Sequence, residues 1–77
     1  MKANKHTNQA EHIAAKLGAN VRTLREDKQM PQVYLAFKSG LDRSYLGRIE
    51  RGEVNVTLEK VYRLAETLGT DINKLIP

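Results

Sequence analysis

The sequence predicts a compact all-α domain of five helices. Apolar residues recur at spacings of three and four along most of the chain, which is the period of a helix with one buried side. Glycines follow several of these stripes, and the connections between them are short. No stretch alternates apolar and polar residues as a half-buried strand does. With 77 residues the chain has room for one domain, which we expect to span residues 1–77.

The composition limits the kinds of protein that this chain can be. It contains no cysteine, which excludes disulfides and thiolate metal sites and suits a reducing compartment. Thirteen lysines and arginines against nine acids give a net charge of +4, which favours a polyanionic partner without naming it. No apolar run is long enough for a signal peptide or a membrane span. We therefore expect a soluble, cytoplasmic protein.

The first predicted helix extends from Asn8 to about Lys28. Asn8 and Glu11 have the spacing of a capping box, which favours a helix start at this point. Residues 1–12 are polar and could form either a flexible arm or an extension of this helix. One side of the helix carries an apolar stripe of Ile13, Leu17, Val21 and Leu24.

Two short helices follow, joined by about three residues. Pro31 suits the first turn of helix two, which we expect over residues 32–39 before the stop at Gly40. Asp42 is a good N-cap for helix three, over residues 42–51. This is the spacing of a helix-turn-helix pair.

A longer helix and a final turn complete the fold. Thr57 is the predicted N-cap of helix four, which stops at Gly69. Asp71 opens a last turn or two, the fifth helix, before Pro77. The apolar stripe of helix four contains Leu58, Val61, Leu64, Ala65 and Leu68.

The C-terminal apolar residues predict an interface between two copies of the chain. The stripe of helix four is first of all core, but together with the residues after Asp71 it exceeds what one small domain readily hides. We therefore expect a homodimer whose interface contains Leu68, Ile72, Leu75 and Ile76.

Helix three has an apolar side and a basic side. At about 100° per residue, Leu46 and Ile49 lie together on the side that would anchor the helix. The other side could be a solvated surface, or it could enter the major groove of DNA, where arginine donates two hydrogen bonds to guanine O6 and N7. That side carries Ser44, Arg48 and Arg51, flanked by Arg43 and Gly47.

Four motifs carry a resemblance to a known family: "VRTLRE" in helix one, "QVYLAFKSG" in helix two, "YLGRIERG" in helix three and "TLEKVYRLAETLG" in helix four. The segment from Leu17 to Pro77 resembles the Cro/cI-type, or XRE-type, helix-turn-helix proteins, and most resembles the controller proteins of restriction-modification systems. The resemblance implies a lambda-repressor-like fold and a homodimeric transcription regulator, a controller or a phage-type repressor. It would bind palindromic operators in double-stranded DNA, with half-sites about one helical turn apart.

The resemblance also assigns roles to individual residues. It places Arg25 and Glu50 in a structural salt bridge, outside the DNA contacts. Pro31 stands where relatives usually have a serine or threonine cap, so the hydroxyl cap is absent. The implied base contacts are Arg43, Ser44 and Arg48, and the implied phosphate contacts are Gln32, Tyr45, Arg51 and Asn55.

Other functions have less support in the sequence. No grouping of nucleophile, histidine and acid predicts an enzyme. His6 and His12 lack further ligands at metal-binding spacing, so we expect no metal and no cofactor. An antitoxin-type module, which would neutralise a protein partner and bind DNA only for autoregulation, is the alternative. The roles of Val33 and Tyr34 stay open.

Overall fold

The computed structural model describes residues 2–77, with side chains from residue 9 onward. Within this part of the chain all regular structure is helical, which confirms the predicted all-α class. None of the described helices is long and apolar enough to cross a membrane. The elements are α1 (Lys2–Asp27), α2 (Gln32–Lys38), α3 (Arg43–Glu50), α4 (Leu58–Leu68) and a final 3-10 turn (Ile72–Lys74).

The predicted last turn after Asp71 is confirmed, but it is a single 3-10 turn, so the described residues contain four α-helices and not five. Asp71 caps this turn as expected, with its Oδ1 accepting a hydrogen bond from the Asn73 N–H at 3.0 Å. Leu75 follows the turn and is completely buried. The side-chain amide of Asn20 in α1 donates to the Leu75 carbonyl at 2.8 Å, so α1 holds the end of the chain in place.

Helix α1 is longer than predicted. It begins at Lys2, so Asn8 lies inside the helix and is not its cap. The neighbouring helices cover the side of α1 that carries Ala14, Leu17 and Val21. Ile13 immediately precedes Ala14 and is rotated about 100° from it, and its side chain is 52% exposed. The expected core position of Ile13 is therefore wrong.

The core lies where all four helices meet. Leu35 of α2, Leu46 of α3 and Leu64 of α4 have no exposed surface, and each such side chain contributes roughly 1.5–3 kcal/mol to folding. Leu58 was expected in this core but is exposed. It is the first residue of α4, and the buried residues of this helix begin only at Val61. The core cluster consists of Leu17, Val21, Leu35, Ala36, Leu46, Ile49, Val61, Leu64, Ala65, Leu68 and Leu75.

Helix α1 packs directly against the C-terminal end of α3. At Gly18 a Cβ atom would collide with the carbonyl oxygen of Ile49 and would lie 2.8 Å from that of Glu50. Backbone oxygens cannot rotate away, so the two helices could not approach this closely with a larger residue. Gly18 therefore sets the distance between α1 and α3.

The predicted caps of α3 and α4 are confirmed. The Asp42 carboxylate accepts a hydrogen bond from the Ser44 N–H at 3.1 Å, and the Thr57 hydroxyl accepts one from the Lys60 N–H at 3.3 Å. Gly69 ends α4 in the left-handed conformation, with φ of +67°. N-caps of this kind typically contribute about 1 kcal/mol each. The Asp42 cap fixes where α3 begins, and the Thr57 cap fixes where α4 begins.

Candidate nucleic-acid interface

The exposed side of α3 lines a shallow depression of about 330 Å³. On the opposite side, Leu46 and Ile49 are buried in the core, as the sequence predicted. The depression brings together five of the seven residues that the resemblance assigns to DNA. Its lining consists of Gln32, Arg43, Ser44, Gly47, Arg48 and Arg51.

Beneath this surface, Arg25 and Glu50 form the predicted ion pair between α1 and the end of α3. Arg25 Nε donates to Glu50 Oε2 at 2.6 Å and Arg25 Nη2 donates to Oε1 at 3.0 Å. A third hydrogen bond runs from Arg25 Nη1 to the Met30 carbonyl at 2.9 Å. The side chains are 12% and 3% exposed, and the hydrogen bonds to Glu50 raise the pKa of Arg25. This pair is structural and fixes the end of α3 to α1.

Gln32 is held by the same carboxylate. Its Nε2 donates to Glu50 Oε1 at 2.9 Å, a contact that the sequence analysis missed because residues 18 apart give no local signal. Pro31 is the N-cap of α2 with extended backbone and makes no side-chain capping hydrogen bond, as expected. Glu50 therefore orients the Gln32 amide at the edge of the depression. The second N–H of the Gln32 amide and the amide oxygen make no hydrogen bond among the described side chains.

An exposed carboxylate, that of Glu53, lies between two arginines of the depression. Arg51 donates to it twice, from Nε at 2.7 Å and from Nη2 at 3.3 Å. Arg48 Nε lies 3.8 Å from Glu53 Oε1. The hydrogen bonds with Arg51 lower the pKa of Glu53 and raise that of Arg51. The free protein therefore presents both arginines already paired with an acid.

Gly47 forms the floor of the depression. It is buried although it lies on the polar flank of α3. A Cβ at this position would lie 3.2 Å from Arg51 Nη1 and 3.9 Å from Gln32 Nε2. Both side chains thus extend across the bare backbone at Gly47; a Cβ there would be in ordinary contact with Gln32 and would make the Arg51 guanidinium shift slightly.

Two predicted phosphate contacts lie outside the depression. Tyr45 is half-buried against the core, and Lys60 Nζ lies 5.9 Å from the centre of its ring. Asn55 is exposed in the loop after α3 and lines a second depression of about 240 Å³. Glu53 also borders this second depression, whose far wall is α1. Asn55 and Arg51 are therefore close in the chain but line different depressions.

The four residues expected at a dimer interface divide into two groups. Leu68 and Leu75 are 1% and 0% exposed, so the core of one domain already buries them completely. Ile72 is half-buried and Ile76 is 40% exposed. Only these two isoleucines could contact another chain, with the leucines supporting them from within.

Exposed apolar residues also occur where the sequence analysis gave no prediction. Phe37 on α2 is 78% exposed, close to the exposed Val33 and Tyr34. The ammonium group of Lys38 lies 5.8 Å from the centre of the Tyr34 ring. These positions lie on the outer side of α2, whose inner side is held by buried Leu35 and Ala36. A seven-residue helix is too short for its period to separate the two sides from sequence alone.

The depression is suited to binding an anion and carries no chemistry for breaking bonds. Its three guanidinium groups and one amide are hydrogen-bond donors, and its only hydroxyl is that of Ser44. Planar guanidinium groups can donate two parallel hydrogen bonds to a phosphate or to the edge of guanine. Among the residues with described side chains, no three acids or histidines are grouped as metal ligands. His6 lies outside these residues.

Comparison with known proteins agrees with this geometry. Residues 21–75 match the helix-turn-helix family HTH_3. The control protein C.SmaI of Serratia marcescens is 45% identical over 60 residues, which cover 78% of this chain and 71% of that protein. The immunity repressor of Bacillus phage phi105 is 33% identical over 60 residues, which cover 78% of this chain and 42% of the repressor.

A solved structure extends the likeness to three dimensions. The crystal structure of the restriction-modification controller protein C.AhdI from Aeromonas hydrophila matches with a TM-score of 0.79 and 44% identity. The match covers 82% of this chain and 96% of that chain. The chain therefore belongs to the HTH_3 family of helix-turn-helix proteins and is a DNA-binding transcription regulator, not an enzyme.

Proposed function

We propose that this chain is a homodimeric regulator of the restriction-modification controller type, or of the related phage-repressor type, and that it reads palindromic operators with α3. The similarity to C.SmaI and C.AhdI favours the controller type. Such a regulator acts in the cytoplasm, on the DNA of the nucleoid.

One observation carries the proposal. The exposed side of α3 joins Arg43, Ser44 and Arg48 in one depression, while its other side is fixed in the core. Helix α3 has eight residues, and an α-helix with its side chains is about 10–12 Å across, which fits into a major groove about 12 Å wide. Arg43 and Ser44 lie in its first turn, the part of a recognition helix that usually contacts bases.

The surrounding residues would contact the DNA backbone. Gln32 and Arg51 border the same depression and offer donors for phosphate oxygens. Asn55 and Tyr45 lie farther out on the loop and on α3, and they would contact phosphates at the edge of the groove. These contacts would set the register of α3 and would not themselves distinguish sequences.

The dimer would form through Ile72 and Ile76, over the buried Leu68 and Leu75. A two-fold axis there would place the two α3 helices on successive major grooves, with half-sites about 34 Å apart. Asn20 of α1 holds the C-terminal turn through its hydrogen bond to the Leu75 carbonyl. Ile72 and Ile76, on either side of that bond, therefore have fixed positions.

Base reading is tested by comparing arginine variants on an operator selected from random duplexes. Arg43→Ala and Arg48→Ala should each weaken operator binding by about 1–3 kcal/mol and relax the preference at one base pair per half-site. Asn55→Ala should weaken all sequences nearly alike. Arg63→Ala removes the same charge from α4, where Arg63 pairs with Glu59 at 2.6 Å outside the depression, and serves as the matched control.

The readout is an affinity series on the operator and its single-base variants at fixed salt. If both arginine variants keep the base preference of the wild type, α3 is not the reading element. Wild-type affinity should also fall with salt, with a log-log slope of about 0.9 for each phosphate neutralised.

Dimer formation is tested by light scattering at a protomer concentration on the order of tens of micromolar. The wild type should scatter as a dimer, and Ile76→Asp should shift the equilibrium towards monomer. Leu58→Asp places the same charge at an exposed leucine away from the proposed interface and should leave assembly unchanged. A wild type that is monomeric throughout this range would exclude the proposed interface.

A further inference from the structure

Glu53 has a fixed position beside α3. Its backbone N–H donates to the Arg48 carbonyl at 2.9 Å and closes the turn that ends the helix. The preceding Gly52 has φ of +75°, and a Cβ there would lie 2.8 Å from the Cα of Ala15 in α1. The turn is thus held both by its own hydrogen bonds and by contact with α1, so the carboxylate is placed next to the exposed side of α3.

The carboxylate interacts with two of the three arginines in the depression. It accepts two hydrogen bonds from Arg51, at 2.7 and 3.3 Å, and it lies 3.8 Å from Arg48. Arg43 has no carboxylate partner among the described side chains. The negative charge therefore lies beside Arg48 and Arg51, at the edge next to the second depression, which Glu53 and Asn55 line.

We propose that Glu53 is a specificity-determining residue, which weakens binding to random DNA more than binding to the operator. The inference rests on the proposed function of α3 as the reading element. Glu53 acts through Arg48 and Arg51 and makes no contact with bases itself.

On random DNA the carboxylate only opposes binding. There the favourable contacts are to phosphates, and each arginine that neutralises a phosphate releases a condensed counterion. Arg51 and Arg48 must release Glu53 or share their charge with it, and the carboxylate itself is repelled by the same phosphates. An exposed ion pair has an equilibrium constant of only about 1–5, so phosphate can displace it, but at a loss in affinity.

On the operator the same carboxylate has a compensating effect. Reading a base requires a guanidinium group in a defined orientation, and a long exposed side chain loses rotamer freedom when it is fixed. Glu53 lies 3.8 Å from Nε of Arg48, the base-reading arginine beside it, and also holds the neighbouring Arg51 by Nε and Nη2, so the Arg48 guanidinium is restrained before DNA binds. On the operator, the orientation of the guanidinium group before binding therefore offsets part of the repulsion between Glu53 and the phosphates. On random DNA no base is read, so this compensation is absent.

The test measures Glu53→Gln on two duplexes, the selected operator and a random sequence of equal length. Glutamine keeps the size of the side chain and the position is exposed, so the fold is retained. We expect affinity for random DNA to rise roughly threefold to tenfold and its log-log salt slope to steepen by about 1. Operator affinity should rise less, so the ratio of the two affinities falls.

Glu59→Gln is the matched control. Glu59 also pairs with an arginine on the surface, Arg63 at 2.6 Å, but neither residue lines the depression. The control raises the net charge by the same amount, so it measures the effect of charge alone. A fall in the affinity ratio for Glu53→Gln that comes from tighter binding to random DNA and clearly exceeds that for Glu59→Gln supports the proposal.

Other outcomes overturn it. Equal tightening on both duplexes, or the same result for both variants, would leave Glu53 with no part in specificity. Weaker operator binding with random binding unchanged would mean that Glu53 contacts a base directly. If the wild type itself does not prefer the operator, the proposed function fails as well, and this outcome is distinguished from the others before any variant is compared.

Discussion

Replacing Gly18 by alanine would have two opposite effects on stability, a gain from helix propensity and a loss from overpacking. In an exposed helix the change stabilises by about 1 kcal/mol, because alanine is the better helix former. At Gly18 the new Cβ would collide with the Ile49 carbonyl oxygen and would lie 2.8 Å from the Glu50 carbonyl oxygen. Carbon and oxygen atoms normally stay about 3.3 Å apart, so α1 and the end of α3 would have to separate.

The size of the effect follows from these two terms. Overpacking a close contact costs about 1–3 kcal/mol. The atoms here are backbone on both sides, so we take the upper value. Subtracting the gain in propensity leaves a net destabilisation of about 2 kcal/mol. For a domain of this size that lowers the melting temperature by roughly 8–16 °C.

Circular dichroism melts of Gly18→Ala and wild type provide the measurement. Ala19→Gly at the adjacent exposed position is the control and should lose about 1 kcal/mol from propensity alone. A Gly18→Ala protein that melts at or above the wild-type temperature, while Ala19→Gly melts lower, would show that α1 and α3 are not in this close contact.

Two further predictions concern the charged pairs. Glu50→Ala leaves Arg25 without its buried partner and should lower the free energy of unfolding by about 3–5 kcal/mol in urea titrations; lost DNA binding at unchanged stability would instead place Glu50 in the interface. Arg51→Gln removes the hydrogen bonds that hold the pKa of Glu53 below its ordinary value, so that pKa should rise. Because the depressed pKa keeps Glu53 ionised to lower pH, a carboxyl NMR titration should show wild-type Glu53 protonating only at more acidic pH than in the variant; identical curves would mean that the pair does not persist in solution.

Local sequence signals predicted the parts of the fold that depend on local chemistry. Asp42, Thr57 and Asp71 all act as caps, because a short polar side chain before a helix can bond only to the first free N–H groups. The prediction of which side of α3 is buried was also confirmed, since Leu46 and Ile49 are three residues apart and lie next to each other on any α-helix.

The errors concern what lies opposite a helix. Periodicity placed Ile13 and Leu58 on apolar stripes, but it does not tell where the neighbouring helix ends, and both are exposed. The same reasoning counted Leu68 and Leu75 as surplus apolar surface, although the core uses them fully. A stripe predicts the direction of burial and not its extent.

The sequence predicted most of the residues that line the depression, but not the hydrogen bonds among them. The resemblance assigned Gln32 and Arg51 to DNA, and both border the depression. It could not show that Glu50 holds the Gln32 amide, or that Glu53 holds Arg51, because each contact depends on the exact positions of flexible side chains. Acids next to arginines in sequence are too common for the spacing itself to be informative.

The division of α3 into a buried side and an exposed side has a consequence for how such proteins diversify. Arg43, Ser44 and Arg48 are exposed, while the helix is held by Leu46 and Ile49. Exchanging exposed side chains usually changes stability by less than about 0.5 kcal/mol. Three positions can therefore vary almost independently of folding, and under the proposed base-reading role gene duplicates could acquire new target sequences without first acquiring compensating mutations. If α3 reads DNA as proposed, the same independence allows its exposed side chains to be redesigned for a different DNA preference.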